Sequence, residues 1–439
     1  MQMDRQGNPM SGATAASAAA FDRAVAAFNL YRGDPLGEAD AALAEAPDHA
    51  MAAILKAHLL ALATEPAAAA EAQRIVAGLR ERPVGEREAS HLAVLDELLR
   101  GDWTRAALRM DAHNARWPRD LVALQVGHVL DFFRGNARDL RDRIARALPA
   151  WSPDLPGHGV VHGMYAFGLE ECGDYARAEE YGRRAVAVEP RDCWAHHAVA
   201  HVMEMQGRAE DGIGWMIARQ PYWAEDGNFF QVHNWWHRAL YHLDLGQRNE
   251  VLALYDGAIR SARSQVALDL VDASAMLWRL WLVGVDVGER WEELADAWAA
   301  HADGQLYPFN DWHAAMAWLG AGRQDDVSRL LATLRRTAAN ESEVAGWARG
   351  IAIPLVEGFA AFARGDHARA AETLHPVRFH ANAFGGSHAQ RDIIDWTMTE
   401  AALRAGRRDL ALSYANERLA LKAHSPINRD FLRRATALD

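Results

Sequence analysis

The sequence predicts an all-α protein built of paired helices, and three observations lead to this class. Apolar residues recur at three- and four-residue intervals over most of the 439 residues, as in LVALQVGHVLDFF and ELADAWAA, which is the spacing of one helix face. The residues that dominate the chain, Ala, Leu, Arg and Glu, are good helix formers. No alternating β-branched run bounded by turn residues is present, so a sheet protein is not expected.

Glycine and proline divide these helices into repeating pairs. Pro118 follows Gly101 and Pro190 follows Gly173 at the same interval, with small alanines between them. The glycine closes one helix, the alanines let the next helix pack closely, and the proline stops it. The interval from Gly173 to Gly207 is that of the tetratricopeptide repeat, about 34 residues. We therefore expect a right-handed α-α superhelix, a solenoid of degenerate tetratricopeptide-type helix pairs.

The expected domain organisation is simple. Residues 1–15 are expected to be a flexible N-terminus, and residues 16–439 one continuous helical-repeat domain. A sub-boundary is possible at 149–156, because the three prolines of that short segment prevent a helix there.

Composition excludes several functions. The formal net charge of −12 argues against nucleic acid and anionic membranes as partners. Two cysteines are too few for a disulfide framework, which fits a reducing compartment. Neither an uninterrupted apolar stretch of transmembrane length nor a secretory h-region is present, so the expected location is the cytoplasm.

Histidines in the middle of the chain carry the only chemistry that the sequence indicates. His197 and His201 are one helical turn apart in one segment, and His233 and His237 are one turn apart in the next. Glu204 follows His201 by a further turn, so it shares that helix face. Such a set predicts a site for zinc or another divalent transition metal. The alternative is that these histidines are hydrogen-bonded core residues or line a groove without metal.

Other polar residues interrupt apolar segments. Asp272 lies in VALDLVDASAMLWRLWL, Asp311 and His313 lie in LYPFNDWHAAMAW, and Arg391 and Asp392 follow GGSHAQ. A buried acid needs a partner, so Asp272 and Asp311 are candidates to orient imidazoles through the second ring nitrogen. Helix capping is the alternative for Asp311.

The chain has 16 tryptophans, and several are close to the histidines in sequence. A cavity lined by aromatic rings would suit a small organic ligand or a peptide. Filling the seams between repeats is the alternative role for most of these rings. The candidate ligand-binding residues are Trp236, Asn234, Asp311 and Arg391.

Long segments of the chain resemble one family. HGMYAFGLEECGDYARAE, DCWAHHAVAHVMEMQGR, VHNWWHRALYHLDLG, LDLVDASAMLWRL, GERW, FNDWHAAMA and PVRFHANAFGGSHAQRDI occur in the order typical of the tetratricopeptide repeat protein 38 family. LALKAHSPINRDF near the end is similar too. The resemblance covers nearly the whole chain, is best from Pro149 onward, and is loose over the Ala-rich beginning. It implies an α-α superhelix of degenerate repeats and does not supply a reaction.

The resemblance also ranks the polar residues. The family pattern matches this chain at His197, His201, Glu204, His233, Asn234, His237, Asp272, Asp311, His313, Arg391 and Asp392. The family pattern does not require histidine at the positions of His162, His196, His242 or His388. A site implied by the resemblance is therefore built without those four.

Two functions follow from these observations. The first is a binding or scaffold protein that holds a small molecule or a peptide or protein partner in a concave groove lined by aromatic and histidine side chains. The alternative is a metal-dependent or His/Asp acid–base enzyme of hydrolase type with its site in a central pocket. The candidate catalytic residues are His201, Glu204, His237, Asp272 and His313. The candidate metal ligands are His197, His201, Glu204, His233 and His237.

Overall fold

The structure, a computed structural model, describes residues 2–439 and confirms the all-α class. Apart from one short hairpin, the described residues form helices joined by short turns. The chain divides into two compact units. The first consists of Met1–Val199 with Pro221–Gln231, and the second of Ala200–Gln220 with Val232–Asp439.

The first unit contains ten complete helices and the start of the next. They are α1 (Ala15–Leu30), α2 (Pro35–Glu45), α3 (Ala50–Leu62), α4 (Pro66–Leu79), α5 (Glu86–Leu99), α6 (Trp103–Arg116), α7 (Leu121–Phe133), α8 (Ala137–Ala147), α9 (His158–Glu171), α10 (Tyr175–Val188) and the first turns of α11 (Cys193–Met205). A 3₁₀ turn, Leu148–Ala150, follows α8. Helices that are consecutive in the chain pack on one another, as α1 does on α2 and α9 on α10.

The second unit begins within α11. Its helices are the rest of α11, most of α12 (Ala209–Trp223) and α13 (Gln231–Asp244), then α14 (Arg248–Leu254), α15 (Ala267–Leu282), α16 (Arg290–Ala297), α17 (Pro308–Gly320), α18 (Gln324–Thr337), α19 (Glu343–Trp347), α20 (Ile353–Ala363), α21 (His367–Val377), α22 (His388–Arg404), α23 (Arg408–Leu421) and α24 (Pro426–Thr436). Two π-helical turns and two 3₁₀ turns complete it, at Tyr255–Ile259, Ala348–Ala352, Trp298–Ala300 and Ala381–Phe384. Within this unit α15 packs on α17 and on α22.

The predicted glycine turns are present, and Gly173 shows how one works. Helix α9 ends at Glu171, and Gly173 adopts a left-handed backbone with φ 78°. Its amide donates to the Glu170 carbonyl at 2.8 Å, and the Asp174 amide donates to the Leu169 carbonyl at 2.9 Å. These two hydrogen bonds satisfy the last carbonyls of α9 and turn the chain into α10.

A second glycine sets how closely α8 and α9 approach. A Cβ atom added at Gly168 would lie 2.6 Å from the backbone N and Cα of Arg141 on α8, a distance that real Cβ atoms do not reach. Because backbone rather than a flexible side chain blocks the space, α8 and α9 would have to separate.

We therefore expect Gly168→Ala to lower the free energy of unfolding by about 1–3 kcal/mol, the usual size of an overpacking penalty. Gly78→Ala is the matched control, because its Cβ would meet nothing within 4 Å on α4. The control should gain about 0.5–1 kcal/mol from better helix propensity. Urea denaturation followed by circular dichroism measures both, and equal effects would show that the close approach is unimportant.

Residues 2–15 contain regular structure, whereas the sequence predicted a flexible segment over residues 1–15. Gln2–Met3 pairs with Pro9–Met10 in an antiparallel hairpin, and α1 begins at Ala15. The Asp4 carboxylate in this hairpin is buried and lies 3.0 Å from Arg87 Nη2. This buried contact joins the hairpin to α5, on which Arg87 lies.

The expected boundary at 149–156 does not coincide with the division of the chain. Residues on both sides of it belong to the first unit, which the segment Pro221–Gln231 joins from later in the sequence. The Gly33 amide donates to the Gly227 carbonyl at 2.9 Å, and the Phe229 amide donates to the Tyr31 carbonyl at 2.8 Å. These contacts depend on a long loop closure, which local composition does not signal.

None of the helices in the described part of the chain combines the length and the hydrophobicity that crossing a lipid bilayer requires.

Candidate functional site

The candidate site lies in the second unit and starts from three histidines. His233 and His237 are one turn apart on α13, so their rings project from the same helix face. His201 is on α11. His201 and His237 are fully buried, whereas 17% of the His233 side chain is exposed. We call these three residues the histidine cluster.

The rings of the histidine cluster are close enough to share one ligand. One ring nitrogen of each lies within 4.8 Å of those of the other two. The Nε2 atoms of His233 and His237 are 3.2 Å apart. The rings of His201 and His237 are tilted by 64° with centroids 4.6 Å apart, so they meet edge to face.

Asp272 orients one of these rings. It lies on α15, and its Oδ2 accepts a hydrogen bond from His233 Nδ1 at 2.7 Å. With the proton on Nδ1, the lone pair of His233 is on Nε2 and is directed at His237. A carboxylate behind a ligating histidine fixes the tautomer and raises the basicity of the ring, as around many metal ions.

Trp236 connects the histidine cluster to a buried cation. Its indole stacks on the His233 ring, with centroids 5.3 Å apart and planes 14° apart. The Arg279 guanidinium lies over the same indole at 5.4 Å. Arg279 donates to the carbonyls of Ala275 and Ala389, and within residues 2–439 it has no carboxylate within ion-pair distance. Burial lowers the pKa of Arg279 to about 10.

The surroundings of His201 are positive. Burial is the main cause that lowers the pKa of the His201 imidazole well below its ordinary value. The charges of His388, Lys422 and Arg391 act in the same direction. The ring is therefore neutral at pH 7, and a neutral imidazole is the form that can bind a metal or accept a proton.

Glu204 does not belong to the histidine cluster, which corrects its expected role as a metal ligand. Lys422 Nζ donates to Glu204 Oε1 at 2.5 Å, and both side chains are only 12% exposed. An ammonium already neutralises this carboxylate. Glu204 shares a helix face with His201, as predicted, but the sequence did not indicate a partner 218 residues away.

His197, one helical turn before His201, belongs to the first unit. It is buried, and its ring stacks on Phe167 with centroids 5.1 Å apart and planes 23° apart. His196, also in the first unit, stacks on Trp223.

Asp311 and His313 lie on α17 and do not orient the histidine cluster. Asp311 Oδ1 accepts from the Gly304 amide at 3.0 Å, and burial raises the pKa of this carboxyl well above its usual range. His313 Nδ1 donates to the Phe309 carbonyl at 2.8 Å, and burial lowers its pKa to about 3. The helix begins at Pro308, so Asp311 is not its cap either. His313 is therefore neutral at pH 7, and both side chains are buried.

The other predicted residues are also in the second unit. Asn234 and Trp236 are buried on α13. Arg391 and Asp392 lie on α22, where Arg391 donates to the Gly386 carbonyl and Asp392 accepts two hydrogen bonds from Arg418 at 2.8 and 3.1 Å. Arg391 and Asp392 line a cavity together with His388.

The first unit contains a buried polar cluster that the sequence analysis missed. Asp120 Oδ2 contacts His91 Nε2 at 3.0 Å and His113 Nε2 at 3.2 Å. The same oxygen accepts from Arg87 Nε, and His58 Nε2 lies 3.1 Å from His91 Nδ1. Two of these pairs, Arg87 with Asp120 and His58 with His91, are separated by 33 residues, about one repeat. That spacing was the available signal.

This second cluster is suited to structure rather than to a metal. His91, His113 and Asp120 could together reach one ion, but the Arg87 guanidinium already occupies the shared oxygen. Burial alone would raise the pKa of Asp120, but Arg87 and His91 outweigh it and hold that pKa well below its usual range. Asp120 Oδ1 also accepts from the Ala123 amide and so caps α7.

The fold and the site define an all-α helical-repeat protein with a histidine cluster in its second unit. No protein-family model matches the chain. Among solved structures, the chain is similar to the crystal structure of the APC/C hetero-tetramer Cut9–Hcn1 at 15% sequence identity. The alignment covers 95% of this chain and 76% of that one, with a TM-score of 0.45. The resemblance to the tetratricopeptide repeat protein 38 family stays a prediction.

Proposed function

We propose that this chain is a helical-repeat binding protein whose second unit holds a divalent transition metal ion, zinc above all, at His201, His233 and His237. The observation that carries the proposal is the pair of contacts that links the side chains of Asp272, His233 and His237. Asp272 accepts the hydrogen bond of His233 Nδ1 at 2.7 Å, and Nε2 of the same ring faces His237 Nε2 at 3.2 Å.

The donor set suits zinc. Two nitrogens bound to one ion at about 2.05 Å with a tetrahedral angle are about 3.3 Å apart, close to the His233–His237 separation. Three histidines are a usual part of a zinc ligand set, whose tetrahedral coordination takes four ligands. A bound ion would supply Lewis acidity. The partial exposure of His233 gives the site access from solvent.

Elemental analysis of the purified, untagged protein by plasma mass spectrometry tests this proposal. We expect about one zinc per chain in the wild type, and at least a tenfold loss of metal affinity in His201→Ala and His237→Ala. Helicity should be retained, because each substitution removes one side chain from a helix without breaking its backbone hydrogen bonds.

His424→Ala is the matched control, because His424 is exposed and lies outside the histidine cluster. It should keep the wild-type metal content. A protein that takes up no zinc, nickel, iron or manganese even after equilibration with each ion contradicts the metal proposal. Metal that survives both cluster substitutions places the ion elsewhere and also contradicts it.

A His/Asp acid–base enzyme is the second candidate, and the hydrogen bond between His233 and Asp272 favours it. An imidazole whose second nitrogen is held by a carboxylate is the usual general base. This candidate needs no ion, so a metal-free wild type would place it first. The test would then be the pH dependence of the rate of hydrolysis, measured in the wild type, in His233→Ala and in Asp272→Asn. Loss of this pH-dependent activity in both variants is the expected result.

A peptide or protein partner in a groove stays a prediction. It finds support in exposed apolar side chains of the second unit, Phe379 and Leu421, each 68% exposed. Partner binding of this kind would survive His201→Ala, whereas binding through the histidine cluster would not.

A further inference from the structure

The first unit contains a second pair of histidines, which the metal proposal does not use. His158 and His162 lie one turn apart at the start of α9, and both side chains are half-buried. Their Nε2 atoms are 3.1 Å apart, and their ring centroids are 4.5 Å apart. His233 and His237 on α13 have the same helical spacing and an Nε2–Nε2 distance of 3.2 Å. We call His158 and His162 the α9 pair.

Packing against α10 orients one ring of the α9 pair. His162 stacks on Tyr181, with ring centroids 5.6 Å apart and planes 14° apart. Burial lowers the pKa of His162, and the charges of His158 and Arg184 act in the same direction. Arg184 itself pairs with Glu180 on α10 at 3.2 Å. The His162 ring is therefore neutral at pH 7 and has a lone pair for a metal ion.

Both Nε2 atoms of the α9 pair can face one ion. A neutral imidazole carries its proton on either nitrogen, and within residues 2–439 no protein group holds the proton on one nitrogen of His158 or His162. Two nitrogens bound to one ion by bonds of about 2.1 Å are about 3.0 Å apart at a right angle and about 3.4 Å apart at a tetrahedral angle. The observed 3.1 Å lies between these distances.

Nearby carboxylates offset the cost of placing a cation at the start of α9, where the helix macrodipole is positive. Glu189 packs against this end, since a Cβ atom added at Gly159 would lie 3.8 Å from Glu189 Cβ. Glu189 and Asp22 line a cavity of about 310 Å³ together with His158. Among the described residues, their carboxylates accept hydrogen bonds from backbone amides and form no ion pair. Arg5, which is exposed, lines the same cavity. Two carboxylates against one arginine favour a cation beside His158.

We propose that His158 and His162 chelate one divalent transition metal ion in the first unit, with water in its remaining coordination positions. Within residues 2–439, no further histidine, cysteine or carboxylate completes the α9 pair to a set of three ligands. No carboxylate orients either ring as Asp272 orients His233, so this site binds its ion more weakly and exchanges it. The site is independent of the histidine cluster, and the family resemblance does not supply it, because the family pattern does not require His162.

Isothermal titration calorimetry of the untagged full-length protein with nickel chloride tests this site. The background is His201→Ala/His237→Ala, which removes two ligands of the histidine cluster. We expect saturable binding of one nickel ion per chain. His158→Ala and His162→Ala should each weaken this binding by at least about tenfold and to a similar extent, because chelation requires both rings.

His367→Ala is the matched control. Like His158, His367 is half-buried at the first position of its helix, α21, but the residue one turn later is Ala371. This variant should bind nickel as the background protein does. Absence of saturable binding overturns the proposal, as does unchanged binding in His162→Ala.

The wild type separates this proposal from the metal proposal. If circular dichroism shows that the background protein has lost its helices, the wild type replaces it, and His162→Ala should then bind one nickel ion fewer per chain. A single nickel ion that is lost in His162→Ala but not in His201→Ala supports the α9 pair and contradicts the histidine cluster. The reverse result supports the histidine cluster and overturns the α9 pair.

Discussion

Replacing Arg143 by methionine is expected to lower the free energy of unfolding by about 3–5 kcal/mol, because it leaves a carboxylate buried without its main partner. Arg143 on α8 is 1% exposed and Asp131 on α7 is fully buried. Their two contacts are 2.7 and 3.0 Å long, and Arg143 also donates to Asn114 and to the Ala107 carbonyl. Arg134 retains one contact to Asp131, which places the expected loss nearer the lower value.

Two further variants make this prediction specific. In Arg143→Met/Asp131→Leu no charge is left unpaired by the loss of Arg143, so the double variant should be more stable than Arg143→Met alone. Arg138→Met on the same helix is the surface control, because Arg138 is 82% exposed and its pair with Asp142 should contribute less than about 1 kcal/mol. Urea denaturation gives these three values and that of the single variant Asp131→Leu, which completes the cycle. A double variant that loses as much as the sum of its single substitutions would show that the pair is not coupled.

Acidification from pH 6.5 to pH 4 is expected to remove several kcal/mol of stability, because buried histidines stay unprotonated in the folded protein. Burial lowers the pKa of His49 and His91 to about 4 and of His128 and His313 to about 3. In the unfolded chain these rings titrate near 6.5. The contribution of each histidine to the free energy of unfolding is complete above pH 6.5. Below that pH it falls by roughly 1.4 kcal/mol per pH unit, because the unfolded state takes up the proton.

The carboxylates do not all act in the same direction. Burial raises the pKa of Asp244 and of Asp269 to about 6, so the folded protein takes up these protons as the pH falls from 7 to 5, which offsets part of the loss from the histidines. The pKa of Asp120 is held well below its usual range, so its contribution is complete above about pH 4 and is lost only at lower pH. Unfolding free energies measured at about pH 7, 6 and 5 in the wild type and in His128→Leu isolate the contribution of this one histidine. His128→Leu should make the loss shallower by roughly 1.4 kcal/mol per unit. An equal pH dependence in the wild type and in His128→Leu contradicts the buried neutral state of this ring.

Most of the fold could be predicted from short-range sequence patterns. Helix periodicity and the glycine turns, such as Gly173, depend on near neighbours in the chain, so the sequence displays them directly. The N-terminal hairpin was missed because it contacts Arg87 through Asp4, a contact between residues distant in sequence that local patterns do not display. The division into units was missed for the same reason.

The part of the candidate site that lies on one helix face could be predicted from the sequence. The one-turn spacing of His233 and His237 places both rings on one side of α13, and Asp272 was expected behind an imidazole. The sequence could not assign the partner of Glu204, since Lys422 follows it by 218 residues. Nor could it place Asp311, whose contact with the Gly304 amide depends on the loop before α17.

The interleaving of the two units has a consequence for synthesis on the ribosome. The first unit is incomplete until Gln231 has been made, because Pro221–Gln231 supplies the contacts to Tyr31 and Gly33. The intervening residues Ala200–Gln220 belong to the second unit, and α15, which carries Asp272, ends 51 residues after Gln231 (282 − 231). At about 5–20 residues per second, His201 therefore waits roughly 3–10 s after Gln231 for α13 and α15. Over that interval the nascent chain carries His201 without Asp272 in place, so the histidine cluster reaches its full geometry only after α15 has been made.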